Sequence, residues 1–215
     1  MNRIPSAALF DLDGVLIDSE TTYTGIWSRI ESAHPTGIEN FAQKIKGSTL
    51  PQILSKYFPE PEIQADVVRM LNADEQAMPF PIYDGVTDFL KSLRDAGIPA
   101  AIVTSSNGIK MTRLYEMHPG FRELFDTIIT ADDITRSKPD PECYITAAAR
   151  LGANPADAVV FEDSFNGLRA GRAAGAHVVA LSTTNPAESL REYADTVIPS
   201  FKGLTAQSLK ELLSL

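Results

Sequence analysis

From about Tyr83 onward, short runs rich in Ala, Val and Ile alternate with segments whose apolar residues recur every three or four positions. The runs at 100–104, 127–130, 158–163, 177–181 and 196–198 predict strands. The segments between them, near 87–96, 108–117, 141–151 and 164–174, carry the helical period. Single strands separated by single helices are the pattern of βαβ units, which build a parallel sheet covered by helices on both faces. The run 7–10 predicts one more strand at the start of the chain.

Between that first strand and about residue 82 the alternation breaks. Leu50, Ile53, Leu54, Tyr57 and Phe58 recur at three and four residues, as do Ile63, Val67 and Leu71, and Pro51, Pro59 and Pro61 punctuate the predicted helix ends. The pattern predicts an α/β fold: a doubly wound, Rossmann-like core from 1–17 and 82–215, and an inserted all-helical domain at 18–81. Its second margin carries Pro79, Pro81 and Gly85, the composition of a linker able to hinge.

Composition narrows the function classes. The 215 residues accommodate one domain with a modest insertion, and 44% hydrophobic with 22% charged residues is an ordinary globular balance. A net charge of −9 repels the nucleic-acid backbone and anionic membrane surfaces, so neither is expected as a partner. No apolar stretch approaches the ~18 residues of a membrane helix, and the first residues carry acids where a signal peptide would be apolar. The expectation is a cytoplasmic monomer or small homo-oligomer. Cys143 is the one cysteine, which excludes an internal disulfide and favours a buried structural thiol over a reactive one. His34, His118 and His177 lie at no metal-ligand spacing and are read as surface, loop and strand residues. Asp132 and Asp133 are read as a solvated turn or short helix.

In an open parallel sheet, ligands collect beyond the carboxyl ends of the strands, where strand order reverses. The first predicted strand delivers Asp11, Asp13 and Gly14 there, the second Thr104, Ser105, Ser106 and Asn107, and the fourth Glu162, Asp163 and Ser164. Ser137 and Lys138 come shortly after the third. Carboxylates, small hydroxyls and one cation converging on one crevice suit a divalent metal and a phosphate together.

Four stretches carry more than this general chemistry. Phe10-Asp11-Leu12-Asp13-Gly14-Val15-Leu16, Val103-Thr104-Ser105-Ser106-Asn107, Ser137-Lys138-Pro139-Asp140-Pro141, and Phe161-Glu162-Asp163-Ser164 with Asn166-Gly167, in that order, resemble the four motifs of the haloacid dehalogenase-like superfamily. Within it the chain is similar to the subgroup of phosphatases and β-phosphoglucomutases. The resemblance implies that Asp11 is the nucleophile, forming an aspartyl-phosphate, and that Asp13 is the general acid and then the base. It implies that Thr104, Ser105 and Lys138 bind the phosphate, Lys138 neutralising Asp11 as well. Mg²⁺ would be held by Asp11, the Asp13 carbonyl and Asp163, with Glu162 either direct or through water. The helical insert would be a cap over the active site, with Tyr23, Lys46 and Thr49 placed to touch the leaving group. Trp27 is a further candidate there, read first as a packing residue between cap helices.

Departures inside the superfamily narrow the reaction. The dehalogenases and phosphonate-cleaving members lack an Asp where this chain has Asp13. The β-phosphoglucomutases carry an arginine shortly after a cap Lys-Gly pair, whereas Lys46-Gly47 is followed here by Ser48, Thr49 and Leu50, and they carry a histidine where Tyr23 aligns. The resemblance therefore implies a Mg²⁺-dependent phosphatase acting on a small phosphorylated metabolite, a sugar phosphate first among them, with a phosphosugar mutase as the alternative. A receiver-like phospho-Asp signalling module shares the chemistry. It is disfavoured because its acidic pair precedes the accepting Asp and its first strand is followed by no helical insert.

Overall fold

The computed structural model of the protein describes residues 4–76 and 78–213, with the backbone alone at Glu20 and Thr21. Six parallel strands form one sheet: β1 (Ala7–Phe10), β2 (Ala100–Val103), β3 (Thr127–Ile129), β4 (Ala158–Glu162), β5 (His177–Leu181) and β6 (Thr196–Ile198). Their order across the sheet is β3-β2-β1-β4-β5-β6, so β1 lies where the winding changes direction. That reversal opens the crevice beyond the carboxyl end of β1.

Both faces of the sheet are apolar, which is why the strands read as continuous hydrophobic runs. Ala8, Phe10, Ile102, Phe161 and Val179 point to one face. There they meet α5 (Val86–Asp95), α6 (Gly108–Met117) and α10 (Ala206–Leu212). Phe10 stacks on Phe161 with ring centroids 4.7 Å apart, and Phe89 stacks on Phe201 at 5.4 Å. Leu9, Ala101, Val103, Val160 and Val178 point to the other face, against α7 (Glu142–Arg150), α8 (Phe165–Ala173) and α9 (Ala187–Leu190). The expected doubly wound core is present.

Among the described residues, four helices run between β1 and α5: α1 (Glu20–Ala33), α2 (Phe41–Lys44), α3 (Leu50–Tyr57) and α4 (Pro61–Gln76). Ile53, Val67 and Leu71, from the predicted periodicity, are buried with Ile26, Ile30, Phe41 and Phe58. The two linkers run side by side: Ile17 bridges Ile82, the Asp18 N–H donates to the Pro81 carbonyl at 2.8 Å, and the Tyr83 N–H donates to the Leu16 carbonyl at 3.0 Å. The helical insert is thus tethered at one paired neck. Among the described residues no helix is long and apolar enough to cross a membrane.

Candidate active site

The chain leaves β1 at Phe10 and turns sharply. The N–H groups of Leu16 and Ile17 both donate to the Leu12 carbonyl, and Gly14 takes φ of +78°. That left-handed conformation favours glycine. A Cβ at this position would overlap the Asp163 carboxylate. Glycine therefore lets the Asp11–Asp13 turn lie directly against the end of β4.

Beneath the turn lies a closed charge network. Lys138 is 2% exposed, and its Nζ donates to Asp11 Oδ1 at 2.5 Å, Glu162 Oε1 at 2.7 Å and the Val103 carbonyl at 3.1 Å. Glu162 is fully buried and saturated: Oε1 also accepts from the Tyr144 hydroxyl at 3.0 Å, while Oε2 accepts from the N–H groups of Asp163 and Ser164, both at 2.9 Å, and from the Ser164 hydroxyl at 3.0 Å. Gly167 makes room for this carboxylate, because a Cβ there would overlap it. Burial pushes the Asp11 carboxyl up to about 7, against the pull of the Lys138 ammonium. Burial works against the Lys138 charge, yet Asp11 and Glu162 outweigh it and hold the ammonium well above its ordinary value.

The acidic groups suit a metal. Asp11, Glu162 and Asp163, all buried, offer carboxylate oxygens within 4.8 Å of one another. Three clustered carboxylates, two of them paired with the Lys138 ammonium, leave an excess of negative charge in a site of hard oxygen donors, the chemistry that holds Mg²⁺. Asp163 is itself held by the Thr184 hydroxyl, which donates to Oδ2 at 2.5 Å.

Asp13 faces a second cation that the motifs do not include. Lys110, on α6, is 3% exposed and donates from Nζ to both carboxylate oxygens of Asp13, at 2.5 and 2.7 Å. The Ser106 hydroxyl donates to Oδ2 at 3.1 Å and the Ser19 hydroxyl to Oδ1. The sequence does carry a signal for Lys110: it lies four residues before the buried Leu114, so a cation occupies the apolar stripe of α6.

A cavity of about 490 Å³ joins these groups to the helical insert, lined by Asp11, Asp13, Thr104, Ser105 and Lys110 on one side and by Tyr23, Trp27, Lys46, Gln64 and Glu75 on the other. The insert is docked on the core across it. The Ser105 hydroxyl donates to the Gly47 carbonyl and the Asn166 amide to the Lys46 carbonyl, both at 2.9 Å, and the Ser137 hydroxyl bonds the Gln52 side chain. The Tyr23 hydroxyl donates to Glu75 Oε1 at 2.5 Å. Trp27 is 7% exposed and packs edge-on against Phe41 at 5.9 Å, so it packs the insert and still reaches the cavity wall.

Asp11, Asp13, Thr104, Ser105, Lys138, Glu162 and Asp163 are brought together as the motif order required, although Lys138 and Glu162 lie beneath the cavity and not on its wall. Tyr23 and Lys46 line the cavity. Thr49 does not: it is buried at the N-cap of α3, while its neighbours Ser48 and Leu50 line the wall. Cys143 is buried, and burial pushes its thiol up to about 11, away from the reactive thiolate form. His34 pairs with Asp66 at 2.8 Å and His118 contacts the Phe80 carbonyl at 2.6 Å, and neither lines the cavity.

Known proteins resemble the chain along the same lines. A family model described as haloacid dehalogenase-like hydrolase matches residues 5–175. The validoxylamine A 7'-phosphate phosphatase of Streptomyces hygroscopicus is 34% identical over 207 residues, covering 89% of this chain and 92% of that protein. Hexitol phosphatase A of Escherichia coli is 31% identical over 201 residues, covering 92% of each. A solved HAD hydrolase of family IA, variant 3, from Entamoeba histolytica superimposes with a TM-score of 0.82 at 23% identity, covering 98% of this chain and all of that one.

Proposed function

We propose a reaction course for this chain, which belongs to the haloacid dehalogenase-like hydrolase family and is a phosphoric monoester hydrolase: hydrolysis of a small phosphorylated sugar or polyol through an aspartyl-phosphate. The observation that carries it is the pairing of Asp11 with a buried Lys138 at the floor of a cavity into which Asp13 and Thr104 also open. Asp11 attacks phosphorus as the bond to the leaving oxygen breaks, and Asp13 gives that oxygen its proton. Asp13 then takes a proton from water, which attacks the aspartyl-phosphate and releases phosphate and free Asp11. Thr104 is oriented by the Ser106 N–H, which its Oγ1 accepts at 3.0 Å, so that its own proton is left to donate to a phosphate oxygen.

Mg²⁺ would be held by the Asp11 and Asp163 carboxylates and the Asp13 carbonyl; bound there, it supplies positive charge against the transferring phosphoryl oxygens. Glu162, fully buried beneath the cavity, serves by holding Lys138 and the 163–164 backbone. The helical insert acts as the cap and contains the leaving group. Its hydroxyl, amide and carboxylate groups at Tyr23, Gln64 and Glu75 suit a polyhydroxylated substrate, in keeping with the hexitol and fructose 1-phosphate phosphatases among the relatives. No arginine lines the cavity among the described residues, which weighs against a second phosphate and so against mutase chemistry.

The test is phosphate release with Mg²⁺ across sugar phosphates, polyol phosphates, nucleotides and pyrophosphate, with β-glucose 1-phosphate also checked for isomerisation. We expect hydrolysis of at least one sugar or polyol phosphate, loss of it on chelation, abolition by Asp11→Asn and a fall of at least ~10² by Asp13→Asn. Near-normal turnover by Asp11→Asn would overturn the mechanism. Isomerisation without phosphate release would overturn the reaction.

A further inference from the structure

Lys110 stands outside the four motifs and outside the roles assigned so far. It comes from the first turn of α6, 97 residues after Asp13 in the chain, and yet its Nζ bonds both carboxylate oxygens of Asp13. Its Nζ also lies 4.3 Å from the ring centroid of Tyr23, on the cap, and 5.8 Å from that of Phe80. A buried ammonium is strongly disfavoured unless paired, and hydrophobic side chains would fill the same space without that cost. Its retention at this place needs a reason beyond folding.

We infer that Lys110 is a positioning residue for the acid–base step: it fixes the Asp13 carboxylate by engaging both oxygens, and the Tyr23 ring of the docked cap holds Lys110 in place. A carboxylate on a single χ1–χ2 arm sweeps a wide arc, whereas proton transfer needs its oxygen within hydrogen-bond reach of the leaving atom. Ser106 and Ser19 restrain Asp13 from the β2 and cap sides, and Lys110 closes the third. One turn further along α6, Arg113 bonds the Glu75 and Gln76 carbonyls at the end of α4. The same core helix therefore aligns Asp13 and grips the cap that covers it.

The inference rests on the acid–base reading of Asp13, and a double-mutant cycle separates the two. Wild type, Lys110→Met, Asp13→Asn and the double variant are compared with Mg²⁺ on 4-nitrophenyl phosphate and on the best sugar phosphate of the panel, with kcat and KM determined separately. Lys110→Met is expected to lower kcat roughly 10- to 100-fold, the scale of a misplaced catalytic group, with KM changed less than about 3-fold. In the Asp13→Asn background the same substitution should change kcat less than about 2-fold, because the group it positions is gone. Lys110→Arg keeps the charge and protects the fold. Its larger head displaces the carboxylate, so a smaller loss of about 3- to 10-fold should likewise vanish without Asp13. Multiplicative losses in either cycle would overturn the inference, since Lys110 would then act on substrate or on the fold directly. Full kcat in Lys110→Met beside a crippled Asp13→Asn would sink it alone; full kcat in Asp13→Asn would sink the acid–base reading instead.

Discussion

The two walls of the cavity are built on opposite principles. On the core wall and beneath it, Asp11, Thr104, Lys138, Glu162 and Asp163 are all buried, and their polar atoms are tied to one another or to strand-end backbone. On the cap wall, Tyr23, Thr24, Lys46, Gln64 and Glu75 are half-buried and spread over three segments, with the Tyr23 hydroxyl bonded to Glu75. Preorganised charge in a dry site is worth far more than the same charge in water, so the core wall suits bond making and breaking. A partly wet wall of polar and screened charged groups discriminates among substrates with contacts that differ little between ground and transition state. The difference predicts that core substitutions act on kcat and on stability, while cap substitutions act on KM and on substrate preference.

The largest effect expected on the core side comes from Lys138→Met. Removing the ammonium leaves Asp11 and Glu162 facing each other in a buried site, and breaking such a pair by deleting one partner costs about 3 to 5 kcal/mol. For a chain of this size the melting temperature of the metal-free protein should fall by roughly 10 °C, and turnover should fall below detection. Both are read from one preparation, by thermal unfolding and by phosphate release. A variant that melts like wild type would show that the network is not the electrostatic keystone its geometry describes, and the contrast between the walls would lose its physical basis.

How much of the site is legible in the sequence divides in the same way. The core wall can be read because continuous apolar runs mark the strands and the residues just after each run are fixed by topology at one edge. The structure ends β2, β3 and β4 one residue earlier than the pattern predicts, at Val103, Ile129 and Glu162. At that edge Thr104 and Asp163 leave the ladder, which is what frees their side chains for the site. The cap wall is less legible. Four-residue α2 is too short to display a helical period, and Thr49, expected on the wall, is buried just before α3 while Ser48 and Leu50 on either side reach the cavity. Lys110 escapes a reading of the motifs because a lysine in a first helical turn is ordinarily solvated, and only its alignment with Leu114 marks it as buried.

A smaller effect tests the cap wall. Tyr23→Phe removes the hydroxyl that bonds Glu75 but keeps the ring over Lys110. One neutral donor to a carboxylate at a half-exposed wall is worth about 0.5 to 1.5 kcal/mol, so KM for the preferred ester should rise about 2- to 10-fold with kcat within about 2-fold of wild type. Steady-state kinetics decide it. A kcat loss beyond about 10-fold at unchanged KM would mean that the cap wall takes part in the chemistry, and the division would have to be redrawn.

The smallest effect expected is a failure to gain function. Leu50 opens α3 and lines the cavity, so Leu50→Arg supplies the guanidinium that this chain lacks after its Lys46-Gly47 pair. One bidentate contact to a phosphate is a charge-assisted bond of about 1.5 to 3 kcal/mol, enough to tighten a sugar bisphosphate roughly 10- to 100-fold as an inhibitor. Isomerisation asks for more: the bisphosphate must be held, turned and offered to Asp11 with its other phosphate, and a site so demanding needs several donors oriented together. Glucose 6-phosphate should therefore not accumulate from β-glucose 1-phosphate, even with a bisphosphate added, while hydrolysis proceeds at the wild-type rate. Should it accumulate, the cap would already contain the remaining donors, and the distance between hydrolase and mutase on this scaffold would be a single side chain.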